Sequence, residues 1–456
     1  LDGLLDALAR ATPTTADRAV TAASSLPPTS RCDDLRWLGA LAEDSDARRH
    51  TDPEIEVSQR HLARLRALLS AGAHEPVSAE LVPLIARLEA AATPGSLVAE
   101  AHLLAGTAAR MAGDYADAEA ELAAAYELAG RSGADHLAAE AAITATAVLG
   151  VDLERRAEAA VWDRSAAVMV SRAGASDQEL EARLRTTRGV LHRSAGEHRE
   201  ALADYRAALA ILEADLGPHH PTLARVHSNI ANVLIVLGDL EAARGHLERG
   251  LALFVDSYGP QHPDAAVFHG NLGTLLSQLG DEPAALAEHR RALASDRFNL
   301  GEDHPAVGVD LFNVGVSFVI SGDLERAAEN FADASAILEA KLGPTHPQLA
   351  YVWTYQGWVM SRRGDHEGGR ATIERALALR EANPTDPADL AHTQLRLGQV
   401  LVADGERERG LELVRRAREA FARDAEANRG FLEETDAWLA ELASGDDVTP
   451  SPAGNP

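Results

Sequence analysis

The side chains in this chain whose types and spacing most suggest chemistry are four histidines. His220, His262, His304 and His346 recur every 42 residues, each just before a proline and three residues after Gly217, Gly259, Gly301 or Gly343. A row of imidazoles raises the question of a shared metal ion, and distance answers it. Equivalent residues of stacked helices lie roughly 8–10 Å apart, whereas two nitrogens on one zinc ion can be no more than ~4.2 Å apart. The pattern predicts turns instead: glycine takes positive φ after one helix, proline opens the next, and the imidazole bonds a backbone group at the helix start.

Asn229, Asn271 and Asn313 recur at the same step. A side-chain amide both donates and accepts, so such a row could grip the main chain of an extended peptide, or it could bond the ends of neighbouring helices. Cys32 is the single cysteine and follows Arg31, which could lower a thiol pKa; a packing role is the simpler expectation. One cysteine excludes an internal disulfide framework and a multi-cysteine zinc site. Phosphate-cradling Gly-x-x-x-x-Gly-Lys, His-Glu-x-x-His, Gly-x-Ser-x-Gly and the kinase signatures are all absent. No catalytic constellation, metal site or cofactor is expected in this chain.

The elements that position these residues follow from a second series at the same step. Gly196-Glu197, Gly238-Asp239, Gly280-Asp281, Gly322-Asp323 and Gly364-Asp365 fall between the His-Pro turns. Each 42-residue unit is therefore a helical hairpin, with a Gly-acid turn inside it and a Gly-x-x-His-Pro turn after it. Gly106, Ala147, Gly189, Ala231, Gly273, Gly315, Gly357 and Gly398, spaced by 41 or 42, put one small residue in each first helix. A larger side chain there would collide with the second helix. Twelve residues on stands Ala or Gly (Ala118 through Gly410), and four further on a larger residue such as Leu122, Tyr205, Phe331 or Ile373.

This face and this order of turns resemble the tetratricopeptide repeat. The longer step, with Leu-Gly-x-x-His-Pro between units, is similar to the kinesin light chain type. The resemblance covers about residues 97–425 as eight units and weakens at Asp163, where an apolar residue is expected, and at Gly368-Gly369, where glycine costs a helix ~1 kcal/mol relative to alanine. HEAT-type repeats have a similar length but do not supply this turn and small-residue spacing. It implies an all-α fold, a right-handed superhelical solenoid with the first helices lining a concave surface. In the family, asparagines at the ladder place contact bound peptides. The expected groove has Asn229, Asn271 and Asn313 along its middle. Arg183, Arg193, Arg225, Asn232, Thr274 and Gln278 lie to one side, and Phe312, Tyr355, Trp358, Arg362 and Arg396 to the other. Tyr355 and Trp358 could equally belong to the core.

Residues 1–92 do not share the repeat. Helices are expected at 1–10, 15–25 and 33–41, then a loop from 43 to 51, and a helix from Pro53 to Gly72 with Ile55, Leu62, Leu65, Leu68 and Leu69 inward. A capping helix at 426–443 and a disordered tail at 444–456 are expected after the repeats.

A hydrophobic share of 46% with only 4% aromatics suits closely packed helices. The net charge of −27 argues against nucleic-acid or anionic-membrane binding, which needs a surface of lysine and arginine. No apolar run approaches the ~20 residues needed to span a bilayer. The expected partner is a protein or peptide with acidic or aromatic residues, because the groove is basic and aromatic against an acidic whole.

Leu26-Pro27-Pro28 through Arg31-Cys32-Asp33, then a Pro53-led helix and the repeats, resemble the region after the catalytic domain in serine/threonine protein kinases of multicellular predatory bacteria. The resemblance implies a longer polypeptide with a kinase domain, and often a membrane segment, before Leu1. The chain would be its sensory or substrate-recruiting arm, in the cytoplasm or on either side of an inner membrane. A free-standing adaptor and the sensor half of a signalling ATPase or transcription regulator are the alternatives.

Overall fold

The computed structural model describes residues 53–70, 72–91, 93–174, 178–260, 262–383, 387–425 and 428–444. Cys32, the helices expected before residue 53 and the tail lie outside these. Among the described residues all regular structure is helical. α1 (Pro53–Ser70) and α2 (His74–Ala90) come first. Eight two-helix repeats follow in sequence: α3 (Gly95–Ala112) and α4 (Tyr115–Ser132), α5 (Asp135–Ala147) and α6 (Arg156–Ala173), α7 (Gln178–Ser194) and α8 (His198–Leu216), α9 (Thr222–Val236) and α10 (Leu240–Tyr258), α11 (Pro263–Gln278) and α12 (Glu282–Leu300), α13 (Pro305–Ile320) and α14 (Leu324–Leu342), α15 (Gln348–Arg362) and α16 (His366–Ala382), α17 (Pro387–Ala403) and α18 (Arg407–Ala422). α19 (Arg429–Ser444) comes last. The chain divides into two compact units, Leu1–Leu237 with Ala252–Tyr258, and Gly238–Leu251 with Gly259–Pro456.

α1 starts on a proline with Glu54 and Glu56 in its first turn, where the helix dipole favours them. Leu62, Leu65 and Leu69 are buried against Val77, Leu81, Leu84 and Leu88 of α2, with Ile55 and Leu68 packed at the edge. α2 is a helix beyond those expected before the repeats. Pro83 is inside α2 on its exposed side, where the bond it forfeits costs least.

The turns between repeats follow from the residues that form them. Gly217, Gly259, Gly301 and Gly343 have φ of 84, 85, 87 and 84°, a region that penalises any Cβ. The Nδ1 atoms of His220, His262, His304 and His346 then accept the backbone N–H two residues on, from Thr222 (3.3 Å), Asp264 (3.2 Å), Ala306 (3.2 Å) and Gln348 (3.4 Å). The histidines cap their own helices. Pro263 and Pro305 are the first helical residues, while Pro221 and Pro347 sit one place earlier. At the inner turns the carboxylates of Asp281, Asp323 and Asp365 accept from the N–H groups of Ala284 (3.2 Å), Arg326 (3.1 Å) and Gly368 (3.0 Å).

The small residues seat a large side chain of the second helix sixteen residues later. A Cβ added at Gly106 would lie 2.7 Å from Leu122 Cγ, at Gly189 2.6 Å from the Tyr205 ring, at Gly315 2.6 Å from Phe331 and at Gly398 2.6 Å from Val414. At Gly273 it would strike the His289 ring. The two places where the resemblance weakens have local explanations. Asp163 accepts two bonds from Arg188, Nε at 2.7 Å and Nη2 at 3.1 Å, and α5 beside it ends in a π-helical turn, Val148–Asp152. Gly369 faces Gly357 so closely that a Cβ on Gly357 would lie 2.5 Å from the Gly369 carbonyl oxygen. Glycine there permits backbone approach.

Within each unit helices pack on their neighbours in sequence, and first helices of consecutive repeats also touch: α3 with α5 and α5 with α7 in the first unit, α11 with α13, α13 with α15 and α15 with α17 in the second. None of the described helices is long and apolar enough to cross a membrane.

Candidate functional site

In the first unit the candidate surface is carried by α7 and α9. Arg183 and Arg225 occupy equivalent places on them. Arg183 pairs with the buried Glu140 of α5, and Arg66 Nη1 approaches the same carboxylate at 3.6 Å. Burial pushes the Glu140 carboxyl up, but Arg183 and then Arg66 outweigh it and hold it below the usual range. Arg225 has no such partner among the described residues. Its side chain is open to solvent, yet protein surrounds it; that enclosure first, and Arg183 second, lower its pKa. The accessible area decides that a ligand can reach it, and arginine remains a cation throughout.

Asn229 and Asn232 lie four and seven residues beyond Arg225 on the same face of α9. Both are half-buried, and neither side chain makes a hydrogen bond among the described residues. Arg193, exposed on the last turn of α7, stands near the Tyr205 hydroxyl, whose pKa burial raises and Arg193 partly lowers.

In the second unit Asn271 of α11 and Asn313 of α13 are half-buried in the same way, again without a side-chain hydrogen bond among the described residues. Gln278 is exposed. Thr274 is less available, because its Oγ1 donates to the Gly270 carbonyl at 3.1 Å. Phe312 is half-buried and packed into the core edge, its ring 5.7 Å from Phe331 and 5.4 Å from Tyr355.

Three of the expected groove residues are not on a surface. Tyr355 is 4% exposed and stacks against His392 with centroids 5.2 Å apart; burial pushes its hydroxyl up to about 12. Trp358 is 3% exposed, with the guanidiniums of Arg362 and Arg396 at 5.4 and 5.3 Å from its ring. Arg396 is 2% exposed and ion-paired with Glu434 of α19, and it also donates to Gln399 Oε1 at 3.2 Å. A helix two along brings a group over two of these places, His392 of α17 over Tyr355 and Glu434 of α19 over Arg396. Only Arg362 of this set remains exposed, its pKa lowered by partial burial against Trp358.

Two buried carboxylates, Glu140 and Glu434, join the site beyond the expected residues. They lie 43 residues before Arg183 and 38 after Arg396, within about one helical turn of where the repeat step points.

Residues 180–254, 222–297 and 269–340 match the tetratricopeptide repeat family model in three overlapping copies. No curated protein matches the chain. Among solved structures, the apo form of the quorum sensor NprR from B. thuringiensis is 13% identical, with a TM-score of 0.58 over 81% of this chain and 99% of that one. The apo form of RapI is 12% identical, with a TM-score of 0.54 over 87% of this chain and 94% of that one. A putative kinesin light chain with nearly identical TPR-like repeats from Podosopora anserina is 18% identical over 45% of this chain and 97% of its own, with a TM-score of 0.37. The stretch from 180 to 340 therefore consists of tetratricopeptide repeats, set in a chain whose described residues have an all-helical repeat fold.

Proposed function

We propose that the protein is an interaction scaffold that grips extended protein segments along its first helices. In the first unit Arg183, Arg225, Asn229 and Asn232 would take a segment bearing a carboxylate, and in the second Asn271 and Asn313, with Gln278, would hold main chain. The carrying observation is that Asn229, Asn271 and Asn313 are half-buried and leave their amides unbonded among the described residues. An amide held in place, partly out of water and with its bonds unused, suits a ligand backbone. Helix-end bonding, the rival role for these asparagines, gains no support from their geometry.

The finer reading is that this scaffold is the sensory or substrate-recruiting arm of a serine/threonine kinase. It rests on the resemblance of residues 26–33 and the Pro53-led helix to the region following such kinase domains. Sequencing the coding region upstream of Leu1 tests it directly; an ATPase domain or a short leader there would replace it. For the scaffold itself the test is a triple variant, Asn229→Ala with Asn271→Ala and Asn313→Ala, panned against displayed random peptides beside the unaltered protein. The variant is expected to lose capture while keeping its helicity by circular dichroism. Equal enrichment of the same peptides by both proteins would refute the assignment.

A further inference from the structure

At three junctions between one repeat and the next, two core places fourteen residues apart are apolar on the second helix and the following first helix. Val170 and Leu184 share one apolar cluster at the α6–α7 junction, and Leu338 and Val352 another at α14–α15. Leu212 and Val226 are likewise buried at α8–α9. At the α12–α13 junction the same two places hold Asp296 and Asp310. Asp310 is 8% exposed, and its Oδ2 is buried without a hydrogen-bond partner. Asp296 is half-buried at the facing place, and its charge acts on Asp310. A buried carboxyl without a hydrogen-bond partner among the described residues, facing a second acid, favours its protonated form.

The rest of this junction is also polar. His289 of α12 meets Ser317 Oγ of α13 at 3.0 Å in the core, where other repeats hold Tyr205 or Phe331. From this geometry we propose that the α12–α13 junction is a proton-held hinge, closed while the carboxyl pair keeps its proton and opened by its loss.

The groups acting on the pair fix the direction of the effect. Beyond the two aspartates themselves, His304 of the preceding turn acts on Asp296; further along α12, Glu288 is bonded to His269 of α11 at 2.6 Å and His289 to Ser317. Among the described residues Asp296 is the charged group acting on Asp310, and no charge of α14 or α15 contributes. Burial, then Asp296, push Asp310 up to about 8. Burial likewise raises Asp296, against the opposing effects of His304 and Asp310. Burial holds His289 down at about 4, so it stays neutral from pH 6 to 9 and leaves the acid pair as the titrating element. A raised carboxyl pKa means that the closed state binds the extra proton. Its stabilisation is complete below the ordinary carboxyl pKa and is lost as pH rises through about 8.

Amide hydrogen exchange on the whole chain, read as protection of α13 relative to α15 in the same molecule, tests the hinge. The α13 protection is expected to fall up to about tenfold per pH unit between pH 6 and 8 and to level off above. Replacing the pair by its counterparts elsewhere, Asp296→Leu with Asp310→Val, should flatten that slope. Asp310→Asn, which keeps the shape but cannot titrate, should do the same and guards against a repacking failure of the apolar pair. Parallel pH profiles for α13 and α15 in the unaltered protein, or an unchanged slope in Asp310→Asn, would overturn the proposal. Because Asn271 and Asn313 lie on either side of this junction, the peptide reading adds that capture spanning both weakens above pH 8; the exchange result stands without it.

Discussion

Four first helices of the second unit carry a residue two places before the small mark, and they divide into two kinds. Asn271 and Asn313 are half-buried with free amides, while Tyr355 and Arg396 are closed over, one by His392 and the other by Glu434. The backbone position is the same, and the neighbour decides the outcome. Where a helix two along offers a large ring or a carboxylate, the place becomes part of the stack. Where it does not, polar atoms remain available. Equivalent positions in a repeat are thus equivalent in geometry, and their use has to be read from what the next unit brings.

The comparison can be broken from its closed side first. Arg396→Ala would leave Glu434 buried without its cation, and the expected cost is about 3–5 kcal/mol, visible as a large fall in the urea midpoint. A change near zero would mean that the pair is open to water. Next in size is the seat beneath the open side. Gly273→Leu drives a side chain into the His289 ring, and overpacking of this kind costs about 1–3 kcal/mol; a neutral result in the same unfolding experiment would put the small mark on a surface. His304→Ala removes one helix cap, worth about 1 kcal/mol, and the loss should appear as faster exchange confined to the first turn of α13. The smallest effect belongs to the open places themselves. Asn271→Ala with Asn313→Ala should shift stability by no more than about 0.5 kcal/mol, because no internal bond is lost, and a larger drop would show that the amides are structural.

Much of the fold was legible because its grammar is local. Positive φ at Gly217 or Gly301, a cap from His262 or His304 and a small seat at Gly189 each depend on residues within one repeat, and a fixed step displays them. What stayed hidden depends on partners a repeat away. Arg396 reads as a groove cation until Glu434 is placed over it, and Asp163 reads as a flaw until Arg188 reaches it. α2 went unanticipated, although its prolines lie on a solvent-facing side where their cost is small. Asp310 was within reach: written in register, Leu184, Val226, Phe268, Asp310 and Val352 form a column with one acid in it.

The histidine caps carry a consequence for how such a chain can lengthen. Each imidazole bonds an amide two residues away, so the stop of one helix and the start of the next are specified without help from distant parts of the protein. An in-frame duplication of one repeat therefore brings its own punctuation with it, and only the seams with its new neighbours have to be refitted by later substitution.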